Sequence, residues 1–327
     1  MTHEPEFIAR YSEQNREPQC LWDHLQGVSE QAGLFGKKVG LEAAGRLTGL
    51  IHDLGKATAE FREYLQHAVG LADELNVRLY GSKLDHSTAG AQLLYKSFAE
   101  QSGTPTLASD LLALVVASHH GFMDALTPGG IDSLGQRLAK TEEETRQEKA
   151  LTSLEPEVRF ELENLLDAGV DEELNLFLRR TLDDGDSYTE LMFKVGLLMR
   201  FLTSCLIDAD RLNAANFDSQ PDSEKVSAVG STDWASLLEK LETHIQAFEV
   251  KGPMDSLRRD ISDKCKAAAK QEKGVYRLAV PTGGGKTLAS LRFALHHIQE
   301  HNLERVIYVI PYTSIIDQNA KSIREAL

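Results

Sequence analysis

A histidine followed directly by an aspartate, His52-Asp53, lies inside the otherwise apolar run Leu50-Ile51-His52-Asp53-Leu54-Gly55-Lys56 and constrains the fold more than any other stretch. It sets a nitrogen and an oxygen ligand side by side, and an aspartate can give one oxygen to each of two ions. Four more histidines and a second aspartate stand in apolar or glycine-bounded settings: His24, His86, His119, His120 and Asp208. Spread from residue 24 to residue 208, these groups meet only in a fold that gathers several elements around one centre. Helices suit that task because they hold ligands rigidly.

The ligand types point to a metal. Imidazole favours Mn, Fe, Co or Ni over Ca or Mg. Seven protein ligands exceed what one tetrahedral zinc needs, so two ions with open positions fit better. Two ions about 4 Å apart can activate a water and stabilise a phosphoryl transition state. Each residue also has a plainer reading. His24, in Leu21-Trp22-Asp23-His24, taken alone reads as a surface or satisfied core histidine, and His119-His120 as a helix end facing its dipole. Asp208 reads as a helix-end acceptor, with neighbouring Asp210 as the alternative carboxylate. Asp23 and Asp85 are candidate partners of the adjacent histidines, and Lys56 a solvated side chain. His3, His67, His244, His296, His297 and His301 lack comparable settings and are read as non-ligands.

Residues 1–215 read as mainly helical, with apolar helix patterns at 107–118, ending before His119-His120-Gly121, and at 188–210. No convincing alternating strand precedes residue 270. Residues 216–232 are polar and read as a linker. Helical patterns at 233–250 and 255–273 follow. Then come a strand at 275–280, the loop Pro281-Thr282-Gly283-Gly284-Gly285-Lys286-Thr287, a helix at 287–299 and a second strand at 305–310. A glycine-rich loop ending in Lys-Thr between strand and helix binds nucleotide phosphates, with Lys286 on phosphate and Thr287 on Mg²⁺. This order opens a parallel α/β NTPase domain.

Charge matters only by location. The chain carries a net charge of −15, and residues 141–190 alone hold 5 basic and 16 acidic side chains. Screening over about 10 Å makes the local balance decide, so the total is weak evidence against a nucleic-acid substrate. Leu162, Leu165, Leu166 and Leu174 are expected to face inward from that acidic stretch. No apolar run approaches the roughly 20 residues of a membrane span, and the N-terminus lacks a signal-peptide pattern. Cys20, Cys205 and Cys265 are far apart, which suggests reduced thiols in a cytoplasm.

Together, His24, His52-Asp53 with Gly55-Lys56, His86, His119-His120 and Asp208 resemble the HD phosphohydrolase superfamily. The histidine pair after an apolar helix, and the downstream phosphate loop, narrow the resemblance to the signature HD nuclease–superfamily 2 helicase of type I CRISPR systems. Val280 departs from the general phosphate-loop pattern. Pro311-Tyr312-Thr313-Ser314-Ile315-Ile316-Asp317-Gln318 resembles the helicase segment that contacts nucleic-acid backbone, although a capped helix start explains it equally well.

The resemblance implies a mainly α-helical HD-type domain over 1–215 and the beginning of an α/β RecA-like domain over 233–327. It implies one ion held by His24, His52, Asp53 and Asp208, and a second by His86, His119 and His120, with Asp53 bridging. Lys56, expected on the helix face of His52 and Asp53, would stabilise a phosphate oxygen or protonate a leaving group. The implied substrate is single-stranded DNA, cut endonucleolytically and then progressively. The implied cofactors are two ions (Mn, Co, Ni or Fe) with ATP and Mg for the helicase, and the implied partner is a CRISPR RNA-guided surveillance complex. No Asp-Glu-x-His box follows before Leu327, so the chain is expected to be an N-terminal portion that neither unwinds duplex DNA nor shows DNA-stimulated ATP hydrolysis. The rival readings are a phosphohydrolase acting on nucleotides and a non-catalytic module docking a partner through the acidic 141–190 face.

Overall fold

The computed structural model describes residues 5–12, 14, 16–70, 84–104, 106–127, 129–183, 185–218 and 232–327. They form two compact units, divided between Val226 and Ser227. Among the described residues no helix is long and apolar enough to cross a membrane.

The first unit opens with an antiparallel hairpin, β1 (Ile8–Tyr11) and β2 (Pro18–Cys20). No strand was expected there. The strands are too short to show alternation, and the pairing is fixed by burial of Ile8 and Ala9. Helices α1 (Leu21–Lys37), α2 (Glu42–Ile51), α3 (Ala59–Ala68), α4 (Ser87–Ser102) and α5 (Leu107–Ala117) follow. A run of shorter helices comes next: α6 (Ser133–Leu138), α7 (Glu142–Thr145), α8 (Gln147–Thr152), α9 (Pro156–Leu166) and α10 (Val170–Thr181). The long α11 (Tyr188–Asp218) closes the unit.

One apolar core joins Leu25 and Val28 of α1, Leu47 and Leu50 of α2, Leu94 and Phe98 of α4, Leu112 and Val116 of α5, and Leu202 and Leu206 of α11. Helix α5 starts where Thr106 and Ser109 cap one another: the Ser109 N–H donates to Thr106 Oγ1 at 3.1 Å and the Thr106 N–H to Ser109 Oγ at 2.9 Å. The acidic stretch packs onto this unit. Leu162, Leu165 and Leu174 are buried and Leu166 is partly so. The Glu173 carboxylate accepts both the Ala43 and Ala44 N–H groups at 3.0 Å, placing an anion on the N-terminus of α2. Of the segment 216–232 expected as a linker, residues 216–218 belong to α11, which runs to Asp218. Residues 219–231 lie outside the described residues.

The second unit holds α12 (Trp234–Gln246), α13 (Pro253–Ala268), α14 (Lys286–His301) and α15 (Thr313–Ala326). Its helices clasp through Glu242. That carboxylate accepts from Arg292 Nε and Nη2 at 2.7 and 2.8 Å, from Lys266 at 3.1 Å, and meets His296 Nε2 at 2.8 Å. The two expected strands, 275–280 and 305–310, are not hydrogen-bonded as strands. A strand exists only by pairing, and Val275, Ile307 and Val309 stay exposed. The phosphate loop still runs directly into a helix, which keeps the local order of a RecA-like start.

Candidate metal centre

Helix α2 ends at Ile51, so His52 and Asp53 fall at its C-terminus, and Leu54–Lys56 form a single 3₁₀ turn. Lys56 therefore does not share a helix face with the doublet, as spacing alone predicted. The turn nevertheless swings its ammonium to 2.7 Å from Asp53 Oδ2, where it also donates to the Ala9 carbonyl at 3.0 Å.

Gly55 explains why a glycine follows the doublet. Its N–H donates to the His86 carbonyl at 3.2 Å, and a Cβ on it would stand 2.7 Å from His86 backbone atoms. The doublet's turn is thus docked directly on the start of α4. Asp85 fixes that start: it accepts the Thr88 N–H at 3.1 Å, the Thr88 hydroxyl at 2.7 Å and Lys140 at 2.5 Å. Burial raises the Asp85 pKa, but those hydrogen bonds outweigh it and bring the value down to about 2.

Around Asp53 the imidazoles fall into two pairs. Oδ2 faces His24 Nε2 at 3.7 Å and His52 Nε2 at 3.3 Å, while Oδ1 faces His86 Nε2 at 3.5 Å and His119 Nε2 at 3.4 Å. His120 joins the second pair, its Nε2 at 2.5 Å from His86 Nε2. Each of the four buried rings turns its other nitrogen to an oxygen. His52 Nδ1 meets Gly49 O at 2.8 Å, His86 Nδ1 meets Leu84 O at 3.2 Å, His119 Nδ1 meets Val116 O at 2.7 Å, and His24 Nδ1 meets Asn213 Oδ1 at 2.9 Å. A carbonyl oxygen can only accept, so each ring donates from Nδ1, an orientation that in the neutral imidazole aims the Nε2 lone pair at Asp53.

Three of those inward atoms are left unpaired. His52 Nε2, His119 Nε2 and Asp53 Oδ1 are buried without a hydrogen-bond partner, an arrangement that costs about 1–3 kcal/mol per group unless something else satisfies it. Lone pairs converging on a carboxylate repel each other, and divalent cations resolve the conflict. The donor set therefore fits a metal pair: Asp53, His86, His119 and His120 offer one set of ligand atoms, and His24, His52 and Asp210 another. Electrostatics agree. Burial pushes the Asp53 pKa up, but the Lys56 ammonium beside it holds it well below the usual carboxylate range. Burial lowers His86 to about 4, which keeps it a neutral ligand.

Asp208 is not in this cluster. It is exposed, and Asp210 is the carboxylate on the site, with Oδ1 at 3.4 Å from His24 Nε2 and 3.9 Å from His52 Nε2. The reason is helical phase. Leu202 and Leu206 mark the buried face of α11, and four residues on from Leu206 comes Asp210, whereas Asp208 shares the exposed face of Ser204 and Arg211. The apolar period held that signal. Asn213, which the sequence reading passed over, continues the same face one turn later.

The second candidate site is the phosphate loop. Gly283 and Gly285 adopt left-handed φ values of 80° and 76°, which glycine takes without strain, and α14 begins at Lys286. Thr282 and Lys286 are exposed and Gly284 is buried. Arg258 Nε donates to the Gly283 carbonyl at 2.9 Å, and the Thr287 hydroxyl to Asn319 Oδ1 at 2.7 Å.

Comparison with known proteins finds one family in each unit. Residues 19–181 match the family described as Cas3, HD domain, and residues 236–327 match the family described as type III restriction enzyme, res subunit. No curated protein sequence gives a significant match. The HD match makes the first unit a metal-dependent phosphohydrolase of nuclease type, linked to a helicase-type segment. With its buried His–Asp centre followed by a phosphate loop, the chain carries a domain of the Cas3 HD family over residues 19–181, joined to a helicase-type domain over 236–327.

Proposed function

We propose that the first unit cuts single-stranded DNA with two divalent transition-metal ions. It acts as the nuclease of CRISPR interference, in a cytoplasm, recruited by an RNA-guided surveillance complex and fed by an ATP- and Mg²⁺-dependent helicase. The observation that carries this reading is the Asp53 carboxylate, whose two oxygens each face a separate set of imidazoles pinned through Nδ1. His24, His52, Asp53 and Asp210 would hold one ion, with Asp210 in place of Asp208. Asp53, His86, His119 and His120 would hold the other.

A nitrogen-rich set favours Mn, Fe, Co or Ni over Mg. When bound, such a pair acidifies water and polarises a phosphodiester. The chain's own residues then do the rest. Backbone carbonyls and Asn213 keep the imidazoles in one tautomer. Lys56 keeps positive charge beside Asp53 Oδ2, within reach of a phosphate oxygen or departing oxyanion. In the second unit the backbone of Thr282, Gly283, Gly284 and Gly285 cradles nucleotide phosphates, with Lys286 on phosphate and Thr287 on Mg²⁺. The attached helicase-type segment supports DNA over free nucleotides as substrate.

The test loads the 327-residue chain with Mn²⁺ and offers single-stranded DNA, duplex DNA and nucleoside triphosphates separately. Single-strand cleavage, stopped by EDTA and weak with Mg²⁺ alone, is expected. Turnover of nucleotides with the DNA left intact would transfer the proposal to a nucleotide phosphohydrolase.

A further inference from the structure

His52 and His119 sit at the ends of helices, where carbonyls lack intrahelical partners. They take Gly49 O and Val116 O. His24 has no such option. It lies in the first turns of α1, whose neighbouring carbonyls are spent on the helix itself. Its Nδ1 must find an oxygen on another element, and that oxygen is Asn213 Oδ1 at 2.9 Å.

Two further features hold the Asn213 amide in place. Its Oδ1 also accepts from Gln19 Nε2 of β2 at 2.8 Å. On α1, Gly27 lies three residues after His24, and a Cβ there would fall 2.3 Å from Asn213 Nδ2. Gly27 is therefore the gap into which the amide fits. One turn of α11 thus supplies Asp210 to the centre and, three residues later, the group that aims His24.

We infer that Asn213 is a positioning residue for one of the two ion sites, holding His24 as the Nδ1-protonated tautomer with its Nε2 lone pair towards Asp53 and Asp210, and that Gln19 and Gly27 lock Asn213 there. The inference rests on the two-ion reading above. It is specific to the His24 ion, since in the other set His86 and His119 are pinned by backbone carbonyls.

The experiment titrates Mn²⁺ into the metal-free chain by calorimetry and reads the His24 tautomer by ¹⁵N NMR, for wild type, Asn213→Ala, Asn213→Asp and Gly27→Ala. Wild type should take up two ions. Asn213→Ala should weaken one of them by about 10- to 100-fold, leave the other within a few-fold, and turn His24 into a tautomer mixture. Gly27→Ala should do the same by displacing the amide, and Asn213→Asp, which keeps the acceptor, should stay near wild type. If Asn213→Ala does not fold, Asn213→Leu, similar in shape and without an acceptor, takes its place. Unchanged affinities and tautomer in the acceptor-free variant would overturn the inference. So would an equal loss at both ions with a lower melting temperature. A wild-type chain that binds no Mn²⁺ would instead strike the two-ion reading.

Discussion

The two candidate sites solve the binding of charge in opposite ways. The metal centre is built from side chains on α1, α2, α4, α5 and α11 and their flanking turns, with Asp53 only 2 % exposed and His52 fully buried. The phosphate loop is one contiguous stretch of seven residues, largely exposed and built from backbone, with its helix start and two left-handed glycines. A site assembled from distant side chains fails when any one support moves. A site made of local backbone fails mainly when its own glycines or lysine change. The comparison is therefore open to single substitutions.

Asp53→Ala has the largest expected effect, because its two oxygens face both sets of imidazoles. Single-strand cleavage should be abolished and Mn²⁺ stoichiometry should fall, with the helical circular-dichroism spectrum kept. Turnover at the wild-type rate would remove Asp53 from the site. Gly55→Ala comes next. Its Cβ would press on the His86 backbone, an overpacking that costs about 1–3 kcal/mol and separates the doublet from α4. A melting temperature and a cleavage rate both equal to wild type would show that the docking does not matter.

Asp210→Ala should lower cleavage and Mn²⁺ affinity more than Asp208→Ala, which alters an exposed position. The reverse order would show that the helix phase has been misread. Lys286→Ala should leave single-strand cleavage by this chain unchanged while weakening MgATP binding. A nuclease defect in that variant would break the separation between the two sites.

The smallest effect concerns acid. Hydrogen bonds from Arg292, His296 and Lys266 bring Glu242 from 4.5 down to about 2, against the opposing effect of burial. A lowered carboxylate pKa contributes stability fully above the unfolded value, and that contribution is lost as pH falls from about 4.5 through about 2. Glu242→Gln should flatten the stability of the second unit across that window, measured by thermal melts at several pH values. An unaltered pH dependence would mean that the Glu242 clasp does not hold the helices.

Legibility followed locality. The phosphate loop is named by seven adjacent residues, and its helix starts at Lys286, one residue before the predicted boundary. The two strands beside it were legible only as propensity: extended apolar residues are a request for partners, and neither 275–280 nor 305–310 is paired. The hairpin of residues 8–20 was invisible because strands of four and three residues carry no period to count.

At the metal centre the sequence by itself determined the chemistry: which histidines stand in apolar settings, which aspartate adjoins one, and where glycine must follow. Those are properties of composition and near-neighbour order. Only the tertiary structure decided which atoms meet. It placed Asp210 rather than Asp208 on the site, sent Lys56 onto Asp53 through a 3₁₀ turn, and brought Asn213 from α11 to a histidine of α1. The reason is geometric. A shift of two residues rotates a helical side chain by about 200°, and contacts between distant segments depend on how helices pack, which is settled by the whole core.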